Sequence, residues 1–289
     1  MKAALHPALL ALVAASALAQ APVGTAPAAA PLFRAYGVKI NVPDMEAGLA
    51  FYNGVLGFAV ESREKFPAAV TLKPDERHYT HITLVQQPRT GSTFYRRDTH
   101  TSFTLWTSDV RAFIVKAAKA RMRLMENHVR IEQVGLAATF TDPWGSPFSV
   151  MDTTVRPETL PSEPRIYNYG FYLPMNAYPK AREFWCDRLG FVTLTDRYLP
   201  LDQAVFSADK QWGFMLHMRE GAQPAKGDYP GFTMPVIQLA TPDLDAALTK
   251  LKEAGAEILL AAPATDAFGR RYTAFREPFG VPIEVVEIR

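Results

Sequence analysis

A chain of 289 residues holds enough material for two ordinary domains with buried cores. Apolar residues make up 48% and charged residues 21%, and 31 basic residues nearly cancel 29 acidic ones to leave +2. That balance argues against nucleic acid or an anionic membrane surface as a partner, and a lone cysteine, Cys186, excludes an internal disulfide framework.

The N-terminus reads as a separate device. Lys2 supplies a positive charge, residues 8–19 are apolar, and Ala17-Leu18-Ala19 has the small-x-small cleavage pattern. Together they predict a secretory signal peptide over residues 1–19, cut before Gln20. Its apolar run is too short to span a bilayer. Residues 20–33 begin QAPVGTAPAAAP, lack periodicity, and read as a tether. The expected location is periplasmic or secreted, with no membrane span after cleavage.

The ordered pattern starts with a strand, GVKINV (37–42), followed by Pro43-Asp44, where Asp44 is placed to cap a helix and Glu46 to favour its first turn. Met45, Leu49, Phe51, Tyr52 and Leu56 share one helical face, and Gly57 stands where a left-handed C-terminal cap favours glycine. Strand-like runs follow at 58–62, 68–73 and 80–86. The order then restarts: SFTLWT (102–107) is a strand, Ser108 or Asp109 caps a helix to about Arg121, and short strands lead to Asp142-Pro143-Trp144-Gly145, which is turn chemistry. Residues 154–165 carry three prolines and read as a linker.

Beyond the linker the same events recur. FWCDRLGF repeats FYNGVLGF, the two starting 133 residues apart at 184 and 51, and Glu277-Pro278-Phe279-Gly280 repeats Asp142-Pro143-Trp144-Gly145 at a separation of 135. Two offsets so close imply a duplicated half. The predicted class is α+β: four strand–helix–strand–strand–strand (βαβββ) modules forming two domains, 34–153 and 166–289. Cys186 sits inside the second aromatic helix and reads as a structural thiol.

The pieces PDMEAGLAFYNGVLGF, DPWGSPFSV, ATPDLDAALTKLKEAGAEI and EPFGVPIEV, taken in order, resemble the vicinal oxygen chelate superfamily of glyoxalases, bleomycin resistance proteins and extradiol dioxygenases. The resemblance implies glyoxalase-like domains with curled mixed sheets around clefts, where metal-using relatives place His and Glu ligands. Carried onto this chain, the ligand positions fall on Gly37, Thr83, Ser102 and Ser149 in the first half and on Gly170, Met215, Val236 and Glu284 in the second. Only Glu284 keeps a ligand type. His81 and His100 lie two residues from lost positions.

Strand alternation adds Tyr172, His217 and Gln238 to the face that carries Glu284, and Lys39, Thr83, Thr104 and Ser149 form the corresponding set in the first half. The candidate catalytic residues are therefore His217, Glu284 and Tyr172. The candidate ligand-binding residues are Lys39, Thr83, Thr104, Ser149 and Gln238, and a weak metal site would use Glu284 and His217. Arg270-Arg271 is a further candidate anion contact beside the second cleft. The cofactor expectation is none, or a divalent ion weakly bound in the second domain. Three functions fit: a protein binding a small organic molecule without the full metal site, a lyase, isomerase or dioxygenase-like enzyme working from the second cleft, or a degenerate domain that engages a partner. Homodimerisation stays open.

Overall fold

The computed structural model describes residues 31–73, 81–88, 100–131, 135–152, 165–174, 176–198, 203–207, 213–219, 229 and 234–288. The segments read as signal peptide and most of the tether and linker lie outside these residues. Phe33, at the end of the expected tether, is 2% exposed and packs on Phe191 with ring centroids 6.1 Å apart, so the buried fold begins before residue 34.

Four modules follow in order. The first comprises β1 (Arg34–Val42), α1 (Met45–Leu49), β2 (Ala59–Ser62), β3 (Ala69–Lys73) and β4 (His81–Gln86). The second comprises β5 (His100–Trp106), α2 (Val110–Lys119), β6 (Arg123–Ile131), β7 (Gly135–Thr141) and β8 (Pro147–Met151). The third comprises β9 (Arg165–Pro174), α3 (Tyr178–Arg182), β10 (Val192–Tyr198), β11 (Gln203–Ser207) and β12 (Gly213–Arg219). The fourth comprises β13 (Val236–Thr241), α4 (Leu244–Glu253), the short β14 (Glu257–Ile258) and β15 (Ala264–Thr265), β16 (Arg271–Arg276) and β17 (Pro282–Glu287).

The helix starts follow from capping. Asp44, Asp109 and Asp243 adopt extended backbone, and each carboxylate accepts the N–H three residues on, at 2.7, 2.8 and 2.9 Å. Such a cap is worth about 1 kcal/mol. Both aromatic repeats depart from a plain α-helix. After α1 the chain widens into a π-helical segment, Ala50–Val55, and after α3 into Glu183–Arg188. The wider turn lets two neighbouring aromatics face inward together: Phe51 with Tyr52, and Phe184 with Trp185, each pair edge-to-face with centroids 5.0 and 5.2 Å apart. Gly57 and Gly190 then reverse the chain at φ 81°.

The modules pair outer with outer and inner with inner. One sheet runs β14-β16-β17-β13-β1-β4-β3-β2, joining the fourth module to the first through antiparallel β1 and β13. The other runs β10-β11-β12-β9-β5-β8-β7-β6, joining the third to the second through antiparallel β9 and β5. Each sequence half thus gives one module to each sheet. One face of the outer sheet is apolar: Val38, Ile40, Ile82, Leu84, Ile283 and Val285 are fully buried and share a single core cluster with Phe103, Phe148 and the aromatic turns. The opposite face carries the polar residues.

Candidate functional site

Alternation along β1 sends Lys39 to the polar face between buried Val38 and Ile40. Its strand neighbours are Thr83 on β4 and Val236 on β13. One row away, Gln238 pairs with Gly37 on one side and Glu284 on the other. The outer sheet therefore gathers four of the carried-over ligand positions, Gly37, Thr83, Val236 and Glu284, from the two ends of the chain.

Glu284 is the hub. Its Oε1 accepts from the Lys39 ammonium and, at 2.7 Å, from the Tyr229 hydroxyl, and its Oε2 accepts from Gln238 Nε2 at 2.8 Å. Lys39 Nζ also stands 5.2 Å from the Tyr229 ring centroid, a cation–π distance. Lys39, Thr83, Gln238 and Glu284 are all buried, Glu284 to 2% exposure. A buried carboxylate is tolerable only when paired and hydrogen-bonded, and here three donors from three parts of the chain meet that need. Burial, then the neighbouring Glu284 charge, pushes the Tyr229 phenol far above its ordinary value, so it remains a donor. Thr83 Oγ1 and Gln238 Oε1 have no hydrogen-bond partner among the described residues.

The expected group of Tyr172, His217, Gln238 and Glu284 is divided between the sheets. Tyr172 lies on β9 and His217 on β12, in the inner sheet, whereas Glu284 lies on β17 of the outer sheet, where it meets Lys39, Tyr229 and Gln238. The first-half set divides likewise: Lys39 and Thr83 stay in the outer sheet, while Thr104 and Ser149 pair with one another in the inner one. Thr104 and Ser149 are buried there, with Ser149 3.3 Å from the Thr139 hydroxyl. His81 and His100 also separate, His81 contacting Glu61 at 2.7 Å in the outer sheet. In the inner sheet, His217 pairs with Tyr172 and Tyr172 with His100, so the three occupy one row across adjacent strands.

Other candidates have structural employment. Arg270 is held by Asp266 at 2.7 Å and donates to the Tyr36 hydroxyl at 2.5 Å, and Arg271 pairs with Asp245 and Glu287. The Cys186 thiol is pushed up by burial and lies 3.7 Å from the Thr193 hydroxyl, an inert arrangement. Sequence reading placed Lys39 on the right face but missed Tyr229, which follows a segment with no strand or helix signal.

A divalent ion needs several imidazole or carboxylate donors with positions left open. On the outer sheet the four candidate positions supply one carboxylate, already covered by an ammonium. At Gly37 an added Cβ would stand 2.0 Å from the His81 carbonyl oxygen, so no side chain fits there without moving β4. Among the described residues, no group of three or more His, Cys, Asp or Glu comes together. The outer-sheet residues do not fit the family's ion.

Paired βαβββ modules in two mixed sheets, with a polar site on the face opposite the core, define a glyoxalase-like protein. The sequence model of the Glyoxalase/Bleomycin resistance protein/Dioxygenase superfamily matches residues 35–150 and again 170–285, and the chain belongs to that superfamily. Among solved structures, glyoxalase I from Zea mays is similar over 88% of this chain and 92% of that one, with TM-score 0.60 and 16% identity. A putative dioxygenase from Bacillus subtilis is similar over 89% and 86%, with TM-score 0.57 and 14% identity. Identities this low speak to the fold alone. Compared by sequence with curated proteins, the chain has no significant match.

Proposed function

We propose that the protein binds a small organic molecule on the polar face of the outer sheet, without the divalent ion on which metal-using relatives rely. The observation that carries this reading is the Lys39–Glu284 pair: a resident ammonium neutralises the one remaining ligand-type carboxylate. Lys39 keeps further N–H donors for an oxygen of the ligand, and Thr83 Oγ1 and Gln238 Oε1, without a hydrogen-bond partner among the described residues, supply a hydroxyl and an acceptor. A compact molecule with an oxygen acceptor beside an O–H or N–H donor would complete that set. With the signal peptide expected from the sequence, we propose that this binding takes place in the periplasm or outside the cell, which fractionation of the expressed full chain checks directly.

The test uses protein purified without chelator or histidine tag. Elemental analysis should find no stoichiometric divalent metal. Thermal-shift screening with small hydroxy-carbonyl compounds should find stabilising ligands whose effect survives EDTA and disappears in Lys39→Met/Glu284→Leu. Stoichiometric metal lost on Glu284→Gln, or binding abolished by EDTA, would overturn the reading.

A second reading, an enzyme, draws support from the inner sheet. The row His217–Tyr172–His100 offers residue types suited to proton transfer or metal ligation. It moves the expected catalytic partnership from Glu284 to His100. Turnover lost in both His217→Ala and His100→Ala, but kept in Glu284→Gln, would favour it.

A further inference from the structure

Two irregularities in the outer sheet converge on one imidazole. In β1, Ala35 pairs with Leu239 and Gly37 with the next residue back, Gln238, so Tyr36 is the extra residue of a β-bulge. In β2, Val60 pairs with Leu72 and Ser62 with Thr71, which makes Glu61 the extra residue of a second bulge. Both extra side chains reach His81, the first residue of β4. His81 Nδ1 lies 2.7 Å from Glu61 Oε2, and the Tyr36 ring lies against the imidazole with centroids 4.9 Å apart. Bulges re-aim side chains and recur beside functional sites. Gly37 permits the first one, because a Cβ there would collide with the His81 backbone.

An ionised carboxylate only accepts, so Glu61 holds the proton of the neutral ring on Nδ1 and makes Nε2 an acceptor. Among the described residues Nε2 has no hydrogen-bond partner. Tyr36 is held in turn: Arg270 donates to its hydroxyl at 2.5 Å, stands 5.3 Å from its ring centroid, and is anchored by Asp266 at 2.7 Å. Fixed at one nitrogen by a carboxylate and on one side by a ring, the imidazole is more restrained than an isolated surface ion pair. It also belongs to the polar face. Alternation along β4 sets His81 with Thr83 and turns Ile82 to the core. The pairings Glu284–Gln238, Gln238–Gly37 and Gly37–His81 form one row across β17, β13, β1 and β4. Gly37, the β1 member, has no side chain to separate Gln238 from His81, whose strands lie two spacings apart, roughly 10 Å.

We propose that His81 Nε2 is the acceptor that selects a hydroxyl group on the ligand of this face, with Glu61 and Tyr36 as its positioning residues. The assignment rests on the outer-sheet reading and deepens it by naming the group selected. A hydroxy-carbonyl compound gives its O–H to His81, while its carbonyl oxygen takes an N–H of Lys39 or the Thr83 hydroxyl. The corresponding methyl ether has no such donor and sets an alkyl group against the imidazole nitrogen, which weakens its binding. Glu284 already matches the Lys39 charge, and Glu61 sets a negative charge beside the neutral imidazole, so these groups favour a neutral ligand over an anion.

The experiment titrates the full chain, isotope-labelled at its histidine nitrogens, with hydroxyacetone and with methoxyacetone. NMR follows the His81 ring, and ligand-dependent thermal shifts give the affinities. Before any addition His81 should carry its proton on Nδ1. Hydroxyacetone should then shift the Nε2 resonance and bind roughly fivefold or more tighter than methoxyacetone. His81→Phe keeps a ring against Tyr36 and should erase the preference by weakening hydroxyacetone alone. Glu61→Ala should release the tautomer and reduce the preference with methoxyacetone affinity unchanged, whereas a purely structural role would weaken both probes alike. An unmoved Nε2 resonance, equal affinities in the wild-type protein, or a preference that survives His81→Phe would each overturn the proposal. Lys39→Met/Glu284→Leu separates it from the outer-sheet reading. Hydroxyacetone binding lost in that variant but indifferent to His81→Phe would sink the role of His81 and leave the outer-sheet reading standing. Binding that needs His81 but not Lys39 or Glu284 would do the reverse.

Discussion

Lys39 and Glu284 lie 245 positions apart in the chain yet form a buried ion pair on the outer sheet's polar face. Removing one partner of a buried pair strands the other charge, typically at a cost of about 3–5 kcal/mol, whereas replacing both with apolar groups is often neutral. Lys39→Met should therefore lower unfolding free energy by about 3 kcal/mol in urea denaturation. Lys39→Met/Glu284→Leu should recover most of that loss. If the double variant is as unstable as the single, Glu284 owes its burial to Tyr229 and Gln238 instead. Both residues were visible in sequence as polar positions on alternating strands. Their meeting was not, because alternation fixes which face a side chain takes and says nothing about which strand lies alongside.

At the scale of elements, the two aromatic turns and the two closing turns show how a repeat can keep geometry while changing chemistry. FYNGVLGF and FWCDRLGF were legible as helix ends with glycine caps, since capping and apolar spacing are local properties. The π-helical widening was not legible, because it is imposed by packing both aromatics inward. The closing turn at Glu277 carries a pH signature. Burial, only partly offset by the N–H groups of Val281 and Phe279, lifts its carboxyl from the usual 4.5 to about 8. The folded state then holds a proton that the unfolded chain releases, so raising the pH from about 4.5 to about 8 lowers stability, and the loss is complete above that window. Thermal melts across this range should show the wild-type protein losing ground to Glu277→Gln, whose amide does not titrate. Parallel curves would mean that Glu277 ionises normally.

For the whole molecule, the pairing of modules matters most. Because β1 pairs with β13 and β5 with β9, neither half of the sequence completes a sheet by itself. Expressed separately, residues 31–152 and 165–289 should fail to give stable folded monomers. Coexpressed, they should copurify as a one-to-one complex with the far-ultraviolet signature of the intact chain. Two independently folded halves would contradict this account.

The sequence alone determined the number and order of modules, the helix caps, the apolar and polar faces, and the superfamily, because each is written in periodicities of a few residues repeated along the chain. The resemblance implied, besides, that the family's ligand positions fall mostly on Gly, Thr, Ser, Val and Met in this chain. Only the tertiary structure decided which modules share a sheet, and hence that Glu284 meets Lys39 while His217 lines up with Tyr172 and His100. Joining distant modules costs little more loop-closure entropy than joining adjacent ones, since that cost rises only with the logarithm of length. Local pattern therefore left both pairings open, and the choice rested on edge-to-edge hydrogen bonding, between β1 and β13 in the outer sheet and between β5 and β9 in the inner one.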